Sequence, residues 1–129
     1  MNDMNLGAVL TAAVSAFLLG GAWYSPLLFG RIWAREANQP AQPGHPAGVF
    51  GLGFVFALIS AVAFAAWLGP QPTLSRGVSL GLSAGAGMVA ASFGLNYQFA
   101  QRSIKLLLID GGYHAAQFTL YGVILGIWH

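Results

Sequence analysis

The residues from about 6 to 24 form an apolar run without a charged side chain, and three further apolar runs follow at about 48–68, 77–97 and 104–128. A run of about 20 apolar residues matches the hydrocarbon thickness of a bilayer, and a helix crosses it because all its backbone hydrogen bonds close within the segment. Charged residues make up only 6% of the 129-residue chain and hydrophobic ones 57%, whereas a soluble domain carries about a quarter charged residues. The expected fold is therefore all-α: a four-transmembrane-helix bundle with a short interfacial helix after the first span, residues 1–129 forming a single integral membrane domain. Four spans leave no room for a soluble catalytic domain. The five Lys and Arg outnumber the three acids too slightly, and lie too scattered, to suggest nucleic acid. No cysteine is present, which removes disulfides and thiolate metal sites. The leading MNDMN has no positive n-region and the first run is too long for a cleaved signal, so it reads as a retained helix.

The ends of the runs carry their own signals. The first closes on Trp23-Tyr24-Ser25-Pro26, and Ser25-Pro26 looks like an N-cap followed by proline at the first helical position. This predicts a short helix over 26–36 on the membrane surface. Arg31 and Arg35, one turn apart, would hold lipid headgroup phosphates, with Leu28, Ile32 and Trp33 sunk into the interface; a kinked continuation of the first helix is the alternative. The stretch NQPAQPGHPAG then reads as an aqueous loop. Trp23, Trp67 and Trp128 fall at predicted helix ends, where indole prefers to sit. Arg31, Arg35, Arg102 and Lys105 flank one side of the bundle against Arg76 on the other. By the positive-inside rule both termini are expected on the outer, periplasmic side of a bacterial inner membrane.

Helices in lipid associate where small residues let backbones approach. Stripes with a spacing of four occur in every run: Ala8, Ala12, Ala16 and Gly20; Gly53, Ala57, Ala61 and Ala65; Gly77, Gly81 and Gly85; Gly122 and Gly126. They predict a compact bundle and would also suit a homo-oligomer, while Phe50, Phe54 and Phe64 are expected to meet lipid. Residues 81–85 match the GxSxG pattern of serine hydrolases, but that serine needs a strained strand-to-helix turn, so the segment reads as a helix contact.

The last run also carries polar residues. Asp110, Tyr113, His114, Gln117 and Tyr121 share one helical face, and an ionised Asp there is costly unless paired. Three readings follow. The face is a hydrogen-bonded network fastening the bundle, with Asn96, Gln98 and Gln101 as further partners; or a proton or small-solute path; or a metal site with Asp110 and His114 as ligands, which lacks a third. No complete catalytic constellation is visible, and no cofactor or metal is expected. The function chosen from the sequence is conduction or transport of protons or a small polar solute through the Asp110, Tyr113, His114, Gln117, Tyr121 and Asn96 site. The alternative is an accessory or structural subunit packed in a larger membrane complex.

WYSPLLFG at 23–30 followed by Arg31 and Trp33, KLLLIDGGYH at 105–114 and the closing GVILGIW at 122–128 resemble the small bacterial membrane proteins grouped as domain of unknown function 1761. The resemblance spans essentially the whole chain and implies a four-helix inner-membrane protein without an established activity. The long proline-rich stretch after Glu36 looks like an insertion in that pattern. A weak internal match, GAWYS at 21–25 against GLNYQ at 94–98, places Gly and Tyr at equivalent ends of the first and third runs and suggests two parallel hairpins.

Overall fold

A computed structural model describes residues 4–39 and 47–129, and five helices account for most of them. The predicted proline-rich loop lies largely at 40–46, outside the described residues, as do the first three residues of MNDMN. Helix α1 is Leu6–Trp23, α2 Gly30–Glu36, α3 Ala47–Leu68, α4 Leu74–Ala100 and α5 Ile104–Ile127. Three helices, α1, α3 and α4, are long and apolar enough to cross a membrane. The expectation of four is met only in part. At 24 residues α5 is about 36 Å long, but its polar face lowers its hydropathy. The other helices surround it instead: α5 packs against α4 and α1 above all, and touches α2 and α3.

Capping residues set the boundaries. Asn5 accepts from Ala8 N (3.0 Å) and Ser103 from Leu106 N (3.1 Å), satisfying backbone donors that a first helical turn leaves free. Thr73 does the same for Arg76 N (3.1 Å), so α4 begins three residues before the predicted start at Gly77. It ends on Gln101, whose left-handed backbone (φ 55°) turns the chain directly into α5. After α3 the chain reverses at Gly69 (φ 95°), a conformation that favours glycine, followed by Pro70.

The helices run alternately up and down. Trp128 covers Gly7 while Trp23 covers Gly112, so α1 and α5 are antiparallel. Leu74 lies at Gly126, Gly77 at Gly122 and Gly85 at His114, so α4 and α5 are antiparallel too. Along this contact backbone meets backbone. A Cβ built on Gly77 or Gly81 would stand 2.2 Å from the Gly122 or Phe118 carbonyl oxygen, closer than any real contact.

Two local expectations are corrected. The short helix starts at Gly30 rather than Pro26, because Ser25 does not cap it. The Ser25 hydroxyl donates back to Ala22 O (2.7 Å), and its carbonyl accepts from Leu28 N and Gly30 N, making residues 26–29 a tight turn. That turn brings Gly30 so close to the end of α1 that a Cβ there would lie 2.2 Å from Tyr24 O. Gly30→Ala is thus expected to cost about 1–3 kcal/mol through overpacking, whereas Gly21→Ala, facing open space, should cost nothing. Thermal unfolding of both variants in detergent checks this, and equal melting temperatures would contradict the tight turn. Secondly, Phe64 does not meet lipid: it is 3% exposed and packs on Phe118 and Tyr121. Phe50, by contrast, is 51% exposed.

Candidate functional site

Residues 83–90 of α4 form a π-helical segment. A π-turn holds more residues than an α-turn, so the face presented to a neighbour slips along the sequence. The residues of α4 that meet α5 are Gly77, Gly81 and Gly85, then Ala90 against Gly111, Gly94 against Leu107 and Tyr97 against Asp110. The steps are four and four, then five across the π segment.

This slip decides the partner of Asp110. Tyr97 Oη donates to its Oδ2 (2.5 Å) and Tyr24 Oη, from the end of α1, to its Oδ1 (2.7 Å). Both carboxylate oxygens are thus occupied by phenols from two different helices, in a site where Asp110 is 8% exposed. Asn96, expected as a further partner at this site, is instead exposed, beside Ser92 and Met88 on an open groove of α4. Gln98 and Gln101 are exposed as well.

The rest of the polar face is engaged one helix at a time. Tyr113 Oη donates to Ala16 O of α1 (2.8 Å), and the Trp23 indole N–H donates to Ile109 O (2.9 Å). Toward the other end, Gln117 Nε2 donates to Tyr121 Oη (2.7 Å), which reaches Ala57 O (3.1 Å) and Ser60 Oγ (2.9 Å) of α3. Gln117 Oε1 therefore faces His114 Nδ1 at 2.6 Å, and Nδ1 is the donor of that pair. The His114 ring stacks on Phe93 of α4, centroids 5.0 Å apart.

The face thus divides into an Asp110 cluster and a His114–Gln117–Tyr121 chain. They are bridged by ring contacts of Tyr113 with Tyr24 and with His114 rather than by hydrogen bonds. Asp110 and His114 do not share a ligand position, and no group of three metal-binding side chains occurs among the described residues. Ser83, the serine of the GxSxG match, is exposed, and its hydroxyl donates to Ser79 O (2.8 Å) rather than to a histidine. Among the described residues every buried side-chain polar atom has a partner.

Arg31 and Arg35 lie apart from this site, exposed on α2, whose buried residues Gly30 and Ala34 face the other way. Trp33, expected in the membrane interface, packs edge-on against Tyr24 with centroids 5.8 Å apart. It lends α2 to the cover over the Asp110 cluster.

Sequence reasoning missed Tyr24 and Tyr97 as members of the site. The signal that points to them is the match between GAWYS and GLNYQ: its two tyrosines converge on one carboxylate. A family model described as a protein of unknown function, DUF1761, matches residues 7–126. The chain belongs to that family. No curated protein and no solved structure matches it.

Proposed function

We propose that this DUF1761 member is a structural or accessory subunit of the bacterial inner membrane, a four-span module whose polar interior serves to hold its helices together. The observation that carries this reading is the distribution of bonds along α5. Its polar face is tied to α1 through Tyr24 and Ala16, to α4 through Tyr97, and to α3 through Ala57 and Ser60, with no buried polar side-chain atom left over among the described residues. Hydrogen bonds of this kind join helices where hydrophobic association is weak. The fourth crossing, α5, is polar because it faces other helices rather than lipid. Arg31, Arg35, Arg102 and Lys105 share the end opposite both described termini, which supports a cytoplasmic position for that end.

Conduction remains the second reading, favoured by one observation. Among the described residues His114 Nε2 has no hydrogen-bond partner, and it is not enclosed, about 15 Å along α5 from Ile104. Proton flux into liposomes at pH 5 to 8 separates the two readings. The structural reading expects flux from the native chain at the level of empty vesicles, unchanged by Asp110→Asn or His114→Ala. Flux above that level, abolished by both substitutions in folded protein, would overturn it in favour of a proton path. Extraction in mild detergent should further yield a particle in which a different chain is stoichiometric with this one.

A further inference from the structure

The end of the molecule built around α2 exposes two kinds of side chain side by side. Leu27 is 93% exposed, Leu28 53% and Ile32 37%. The same short segment carries Arg31 and Arg35, both exposed. Arg31 makes no hydrogen bond or ion pair among the described residues. Arg35 has an ionic contact with the adjacent Glu36, at 3.8 Å. Water would leave the aliphatic groups unsatisfied, and hydrocarbon would strand two cations. Only the boundary between headgroups and acyl chains suits both.

This face is also held in place. Gly30 and Ala34, one turn apart like the arginines, are buried toward the bundle, and Trp33 leans on Tyr24. The turn over residues 26–29 is closed by backbone bonds to Ser25 O and Trp23 O. Arg31 and Arg35 therefore project from a braced helix rather than a free loop, at the end that also carries exposed Arg102 and Lys105. Arginine forks match phosphate oxygens in bidentate geometry.

We propose that the exposed face of α2 binds the phosphate of anionic membrane lipids, the guanidinium groups of Arg31 and Arg35 engaging the headgroup while Leu27, Leu28 and Ile32 lie against the acyl chains. The site depends on a membrane location and not on which functional reading holds. Its ligand is a lipid rather than a free phosphate ester, because three of the five side chains have no use for a soluble anion.

The experiment is native mass spectrometry of the full chain in nonionic detergent, titrated with phosphatidylglycerol or with phosphatidylcholine of the same acyl chains. The native chain is expected to prefer phosphatidylglycerol. In Arg31→Gln/Arg35→Gln its affinity for that lipid should fall about 25-fold, about fivefold for each basic side chain at an anionic surface. Arg76→Gln, at the opposite end, should change nothing. Undiminished preference in the double variant overturns the proposal, and an equal loss in Arg76→Gln would reduce it to diffuse charge. Displacement of the lipid by an equimolar amount of glycerol phosphate would also overturn it, as the mark of a soluble-anion site. If the double variant loses its helical circular dichroism, Arg31→Lys/Arg35→Lys decides: it keeps the charge but not the fork, so a several-fold loss supports the assignment and no loss overturns it.

Discussion

Gly81→Leu is expected to abolish the α4–α5 contact and to cost about 3 kcal/mol or more of folding stability, at or beyond the upper end of ordinary overpacking. Even the first added carbon would stand 2.2 Å from Phe118 O and 3.0 Å from the Cα of Thr119. Both are backbone atoms of a helix that cannot rotate away without breaking its bonds to α1 and α3. Gly122→Leu, whose Cβ would stand 1.9 Å from Gly77 O, should behave alike. Gly51→Leu is the control, since nothing among the described residues lies within 4 Å of that position; it should be neutral within about 0.5 kcal/mol. Unfolding by sodium dodecyl sulfate, followed by circular dichroism, measures all three. Equal stability of Gly81→Leu and Gly51→Leu would show that the backbone contact does not hold the bundle.

The second large effect is expected at Asp110. Replacement by Ala removes the acceptor of both Tyr24 and Tyr97. Each orphaned phenol costs about 1–3 kcal/mol, so Asp110→Ala should lose about 2–6 kcal/mol in the same unfolding assay. Asp110→Asn keeps one acceptor oxygen and should fall between it and the native chain. Because replacing all partners of a buried polar cluster by apolar groups is far less costly than removing one, the triple variant Tyr24→Phe/Tyr97→Phe/Asp110→Leu should recover most of the loss. If Asp110→Ala were as stable as the native chain, the fastening role would fail, and the residue would have to be present for chemistry.

These two predictions draw on different kinds of information. The Gly77, Gly81 and Gly85 stripe is visible in the sequence because four-residue spacing on a helix is local geometry, although nothing local says which helix meets it. The Asp110 cluster is only half visible. Asp110, Tyr113, His114, Gln117 and Tyr121 fall on one face of α5 by periodicity alone, but their partners lie on other helices, up to 97 residues away for Tyr113 and Ala16. Asn96 was read as a partner because it is a polar residue at the end of the third run, but α4 is π-helical over residues 83–90. The five-residue step there puts Tyr97 on Asp110 and turns Asn96 outward.

By itself the sequence determined the helical runs, the apolar character that makes α1, α3 and α4 fit to cross a membrane, and the single polar face of α5. These follow from interactions within a few residues and from the cost of burying uncompensated polarity in hydrocarbon. Only the tertiary structure decided that α5 is the enclosed helix and that Tyr24 and Tyr97 share one carboxylate. Those outcomes depend on which helix faces which, and that is set by backbone approach at glycine and by the register of a π-turn rather than by the character of any single segment.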